Sequence, residues 1–508
     1  MPRSGPETGC SDKHIALGRN EYPDAVRLRP LIAVAAVAVV LAGCTKTPTI
    51  TSPPPGASQA PAIDYSAWKA GLSQPVADPI YPAYGNDGID VLHYGLDLEW
   101  APESRTLTGQ ATLRLRATRD LTELKLDLSR NFQIDGITLD GAASAGAVAA
   151  DKLTVNAPLK NDSNATLIVK YRGTPSPVKA PTGRGDFDTL GLTIAGDGGL
   201  WTMQEPYGAF TWYPVNDQPS DKALYDIAIT VPEGWAGVAG GTPAGQEANR
   251  FKYTTTDPMS SYLTTLAVNR YTKETATGPD GVPITYWFRP GPDDALMKTV
   301  RNTPRYLEWL QAKFGRYPFP STGVVIVPST SAMETQQMVT MGSPRAANPS
   351  QNALYWEGII VHELAHQWFG DTVTLSNWNE LWLNEGWAMY AQYLFQNERD
   401  KISDTDFEKS LRTQDSSLRS KFGPPGTADP KDFGRSNMYV CPALMLHQIR
   451  KKIGNEAFFA LAKGWAADSK NSVKDRSAFI GYINKQTGSD FTELINTWLD
   501  SPTTPPPL

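Results

Sequence analysis

His362-Glu363-Leu364-Ala365-His366 stands inside an apolar, helix-prone run from Ala353 to Phe369. Residues four apart on a helix differ by about 40° around its axis, so both imidazoles leave one face, one turn apart, as two ligands of one metal ion would. Glu363 projects in a neighbouring direction, near enough to reach a water on that ion without occupying a ligand position. A zinc site needs a third protein ligand, and a catalytic one leaves the fourth place to water. Leu383-Asn384-Glu385-Gly386-Trp387-Ala388 opens a second helix-prone segment reaching to about Asn397, and Glu385 lies nineteen residues after His366. A helix, a reversal and a second helix bring that carboxylate back to the imidazole pair. The predicted set is His362, His366 and Glu385 around one Zn2+ per chain, with Glu363 as general base. The chain has five histidines, and two of them fall in this stretch.

HELAHQWFGDTVT (362–374) followed by WNELWLNEGWAMY (378–390) resembles the zinc signature of the M1 aminopeptidase family, the gluzincins that include aminopeptidase N. The resemblance implies an α+β multidomain fold, a β-sheet-rich N-terminal domain followed by a thermolysin-like, mostly helical zinc catalytic domain. It also implies removal of N-terminal residues from peptides. Gln204 to Pro219 resembles the family's N-terminal-domain signature, and by position Glu205 is implied to bind the substrate's α-ammonium group, with Asp217, Pro219 and Lys222 in structural roles. Ser331-Ala332-Met333-Glu334-Thr335 stands where the family usually has Gly-x-Met-Glu-Asn. Glu334 keeps the carboxylate that pairs with a free amine and fixes one residue's distance from the zinc. Ser331 and Thr335 depart from the pattern. Tyr439 matches the tyrosine whose hydroxyl faces the metal and stabilises the oxyanion. Cys441 and Pro442 are unusual beside it, and a proline in a first helical turn is tolerated.

Around these motifs the 508 residues divide into 1–44, a signal peptide ending in a lipobox; 45–76, a Pro/Ser-rich tether; 77–272, the N-terminal β-rich domain; and 273–508, the catalytic domain. Short alternating stretches such as Val91 to Leu98, Ala111 to Leu115 and Leu167 to Tyr171 fit strands with a buried face. Thr303-Pro304 reads as a helix cap and first position, and Gly323 to Val327 as a strand ended by Pro328. Helices are expected at Asn455 to Ala467, Asp475 to Thr487 and Phe491 to Leu499. Larger family members carry a further helical domain, and the chain is expected to be a two-domain short form with a more open cleft.

The net charge of −6 is mild for this length and points to neither a nucleic-acid partner nor a polyanionic substrate. Arg27 and Arg29 precede an apolar run from Leu31 to Leu41, too short to span a membrane, and Leu41-Ala42-Gly43-Cys44 resembles the lipobox of bacterial lipoproteins. Cys44 is the expected lipid anchor, holding an exported protein on the outer face of the cytoplasmic membrane. The polar stretch Met1 to Asp24 is long for a leader, and a translation start near Val26 would shorten it. Of three cysteines only Cys441 falls in the folded body, so stability rests on packing and metal. Expected partners are peptides with a free N-terminus. The zinc set alone would equally serve an endopeptidase, and the altered 331–335 segment leaves room for a lipid-anchored peptide-binding module with vestigial hydrolysis.

Overall fold

The computed structural model describes residues 63–186, 188–291, 294–343 and 353–508. The leader, Cys44 and most of the Pro/Ser-rich segment lie outside the described residues. Ile63 to Leu508 form one compact unit. Residues 63–76, the end of the segment read as a tether, are seated on a sheet. Tyr65–Gly71 form a 3-10 helix capped by Asp64; Tyr65 pairs with Thr166 (2.8 Å), and Ser73 Oγ donates to Asp90 (2.9 Å) and Asp221 (3.1 Å). These polar anchors, invisible to a compositional reading, offset the ordering cost of a proline-containing chain.

Alternation of apolar and polar residues builds the N-terminal part. Along Thr106–Ala117, Leu107, Ala111, Leu113, Leu115 and Ala117 are fully buried while their neighbours face outward. That strand pairs antiparallel with Ile89–Ala101 on one side and Asn164–Gly173 on the other. Ile89–Ala101 in turn pairs parallel with Lys222–Thr230, inside a nine-stranded sheet. A five-stranded sheet beside it contains Leu200–Met203, and this short strand positions the first site residue. Gln204 follows it, and its side-chain amide donates to the carbonyls of Ser261 (3.0 Å) and Thr264 (2.8 Å) and accepts from Trp212 (3.0 Å). With Gln204 pinned, Glu205 leaves the sheet edge.

The second part opens with a mixed sheet in the order Thr272–Thr277, Pro283–Phe288, Thr322–Val327, Val339–Gly342, Ala332–Met333. Besides a short helix at Asp294–Val300, its helices include α1 (Thr303–Phe314), α2 (Ala353–Ala365), α3 (Leu381–Asp400), α4 (Asp404–Phe422), α5 (Asn437–Ile453) and α6 (Asn455–Asp468). Asn302 is the N-cap of α1, with Thr303 and Pro304 as its first helical residues. The last two expected helices are Arg476–Thr487, capped by Asp475, and Thr492–Asp500. Trp387 on α3 is the hub of the core: it stacks on Phe369 (4.6 Å, 10°) and on Phe458 of α6 (5.6 Å). Truncating a buried aromatic of this kind typically costs about 3–5 kcal/mol.

α4 and α5 also differ from expectation. α4 has no counterpart in the sequence reading. Its buried positions are Phe407, Leu411, Asp415 and Arg419, so half of the stripe is an ion pair with neither side chain exposed, and the apolar period is disguised. Pro442 is the sixth residue of α5, beyond the first turn where it was expected, because the helix already begins at Asn437. The helix nevertheless continues to Ile453. The sheet-rich and helical parts are joined by Lys222, whose buried ammonium donates to the carbonyl of Asp371 (2.6 Å) and to Thr374 Oγ1 (2.9 Å).

Candidate active site

α2 ends beside its own chemistry. His366 still donates its amide to the His362 carbonyl (3.3 Å), after which the chain turns and Gly370 takes φ 144°, a conformation open to glycine. The turn places the Phe369 carbonyl 3.0 Å from His366 Nδ1, which donates to it and leaves Nε2 as a lone-pair donor. Packing of α3 against α2 then delivers Glu385. His362 Nε2 lies 3.1 Å from Glu385 Oε2, His366 Nε2 lies 3.1 Å from His362 Nε2, and His366 Nε2 lies 3.4 Å from Glu385 Oε2.

A tetrahedral zinc with ligand bonds of about 2.0–2.1 Å has ligand-to-ligand edges of about 3.3–3.4 Å. Two imidazole nitrogens and one carboxylate oxygen are donor types that zinc takes, and their separations lie close to those edges. The donor set therefore fits zinc by chemistry and by size. All three residues are buried. Burial alone would raise the Glu385 carboxyl, but His366 and then His362 outweigh it and hold it well below the usual carboxylate range.

Glu363 lines the same cavity, and burial, then the charges of Glu334 and Glu385, push its carboxyl well above the ordinary value. Glu205 arrives from the sheet-rich part and Glu334 from the strand Ala332–Met333. One oxygen from each of Glu205, Glu334 and Glu385 lies within 4.8 Å of the others. Burial raises both Glu205 and Glu334, and each has one buried oxygen without a hydrogen-bond partner among the described residues. A second cationic group is called for here, beside the metal position. Gln367, next to His366, sets the distance: its amide donates to the Glu334 carbonyl (3.1 Å) and accepts from the Gln337 amide (2.9 Å). Thr335, where asparagine was the expected residue, turns inward to Met338 O and to Thr340 Oγ1 (2.8 Å).

Tyr439, in the first turn of α5, lies with its ring 6.0 Å from that of His362 and nearly parallel to it. Its hydroxyl accepts from Arg184 Nη1 (3.0 Å). Arg184 was not anticipated: it sits in a loop with no periodicity, and nothing in its sequence neighbourhood marks it. Asp371 and Asn384, close to the ligands in sequence, are not partners of the imidazoles; Asn384 donates instead to Tyr262 (3.1 Å). The cavity enclosing these groups measures about 850 Å3. Its walls also include Met333, Trp356, Ile359, Met389 and Leu418.

Fold and donor set together define a zinc metallopeptidase of the HExxH class. Residues 91–263 match the Peptidase M1 N-terminal domain and residues 298–498 the Peptidase family M1 domain. The chain belongs to peptidase family M1. It is 28% identical to aminopeptidase N of Acetobacter pasteurianus over 317 residues, 58% of this chain and 88% of that one. It is 28% identical to aminopeptidase N of Streptomyces lividans over 329 residues, 59% of this chain but 38% of that longer protein. An M1 zinc metallopeptidase from Deinococcus radiodurans superposes with a TM-score of 0.74 at 29% identity, covering 85% of this chain and 98% of that one.

Proposed function

We propose that the protein hydrolyses the first peptide bond of peptides with a free N-terminus, using His362, His366 and Glu385 to hold zinc and Glu363 as the proton carrier. When bound, zinc supplies Lewis acidity, making a water acidic enough to ionise near neutral pH and polarising the scissile carbonyl. Glu363 takes the proton of the attacking water as the carbon–oxygen bond forms, and passes it to the leaving nitrogen as the carbon–nitrogen bond breaks. The Tyr439 hydroxyl donates to the oxyanion that develops between these events. Glu205 and Glu334 hold the substrate's ammonium group and admit one residue before the scissile bond.

The observation that carries the exopeptidase reading is the convergence of Glu205 and Glu334, from different parts of the chain, on one corner beside the zinc ligands. An ammonium group satisfies both carboxylates; an internal peptide amide does not. Turnover of matched peptides with free and acetylated N-termini tests this. Free peptides are expected to be cleaved and acetylated ones spared; equal rates would exclude it.

The N-terminal stretch supports a further reading: acylation of Cys44 and attachment to the outer face of the cytoplasmic membrane. Its support is the basic pair Arg27 and Arg29, the apolar run and Leu41-Ala42-Gly43-Cys44. Mass spectrometry of the mature N-terminal peptide decides it, an unmodified Cys44 thiol counting against.

A further inference from the structure

Arg184 is the cation nearest the reacting end of Tyr439, and the bonds around it form a continuous set. Nη1 donates to the Tyr439 hydroxyl (3.0 Å) and to the Gly434 carbonyl (3.0 Å); Nε and Nη2 donate to Asp186 (3.1 and 2.8 Å). Asp186 is held in turn from the Glu334 strand: Ser331 Oγ donates to its carboxylate (3.3 Å), and Thr330 Oγ1 donates to its carbonyl (3.0 Å). The loop itself is docked by Thr182 Oγ1 on Phe433 O (2.8 Å), Phe433 N on Pro181 O (2.8 Å) and Gly183 N on Asp432 (2.9 Å). Gly434 takes φ 68°, and a Cβ there would approach Arg184 to 3.3 Å. The loop at 181–186 and the entry to α5 are therefore built against each other.

A phenol can donate one hydrogen bond while accepting another. Because the guanidinium occupies an acceptor position of Tyr439, the hydroxyl proton is free to turn toward the cavity, where a developing oxyanion would lie. A cation on the far side of the oxygen also polarises the O–H bond and strengthens it as a donor. We infer that Arg184 is a positioning residue for Tyr439, and that Asp186 and Ser331 complete the device by fixing the guanidinium. Ser331, the departure from the expected glycine, thereby gains a role: it links the strand that presents Glu334 to the group that orients Tyr439.

The inference rests on the aminopeptidase reading above, and the experiment keeps the two apart. Arg184→Met, Tyr439→Phe and the double variant are compared on an aminoacyl amide and on a dipeptide with a free carboxylate. Absence of turnover by the unaltered protein defeats the aminopeptidase reading, and with it the ground for this one. With turnover established, Arg184→Met is expected to lower kcat by roughly 10- to 100-fold with little change in KM on both substrates, somewhat below the loss from deleting an oxyanion donor. In the Tyr439→Phe background the same change should cost less than about twofold, since the groups act as one unit. A non-catalytic readout runs alongside: calorimetric affinity for a phosphinic peptide, a tetrahedral mimic, should fall with kcat, while affinity for the product amino acid stays unchanged. Should Arg184→Met fail to fold, Asp186→Asn and Ser331→Gly carry the same test, with smaller losses that also vanish beside Tyr439→Phe. Additive losses overturn the inference. So does a rise in KM confined to the free-carboxylate dipeptide, which would make Arg184 a substrate-carboxylate ligand.

Discussion

Gly386 and Pro442 meet where α3 crosses α5: a Cβ built at Gly386 would lie 2.5 Å from Cβ of Pro442. The residue after Glu385 is thus the one that lets the tyrosine-bearing helix approach. An alanine in an open helix position would add about 1 kcal/mol of stability through propensity. Here overpacking should win, and Gly386→Ala is expected to destabilise by about 1–3 kcal/mol. Because the clash pushes α5 away from Glu385, kcat should fall as well, with KM less affected. Denaturant midpoints at constant m, together with steady-state kinetics, check both halves.

Glu205 and Glu334 should act as a pair on the free amine. Glu334→Gln and Glu205→Gln each remove a charge-assisted bond worth about 1.5–3 kcal/mol, so kcat/KM on free peptides is expected to drop about 10- to 100-fold each. The loss should appear mainly in KM. Preference over acetylated peptides should narrow in each variant, and the ratio of the two rates is the quantity to measure.

Removal of metal should abolish turnover and lower the melting temperature, since an ion that binds only the folded state stabilises by about 2.7 kcal/mol at one hundred times its dissociation constant. Zinc add-back should restore both. Glu385→Ala is expected to lose stoichiometric zinc. Glu363→Gln should retain it and lose about 10²- to 10⁴-fold in kcat, the usual worth of a general base. Elemental analysis beside kinetics separates the two.

His447 on α5 supplies a pH dependence of stability remote from the site. It is buried, with Nδ1 3.2 Å from the Tyr390 hydroxyl and its ring against Phe407. Burial, then nearby Arg450, lowers its pKa to about 4. The unfolded chain gains a proton near pH 6.5 while the folded protein resists it, so this contribution is fully present above about pH 6.5 and fades as pH falls toward 4. The loss amounts to about 3 kcal/mol. Replacing His447 with Gln should flatten that part of the stability profile, read from unfolding midpoints between pH 7 and 4.

What the sequence by itself determined is the proposed donor set, three side chains that the fold brings together, and the class of fold. Four-residue spacing puts His362 and His366 on one helical face whatever lies around them, and two apolar helix-prone segments in succession return Glu385 to that face. Strict alternation likewise fixed the strands of the first part. The reach of Glu205 and Glu334 into one corner was implied only by motif resemblance, because their meeting depends on Gln204 and Gln367, whose partners are distant in the chain. α4, with Asp415 and Arg419 in its buried stripe, and Arg184, in an aperiodic loop, were decided by tertiary structure alone. Local patterns encode which face of an element is apolar; a buried ion pair, or a loop residue bonded across a domain junction, is defined by partners far away in sequence.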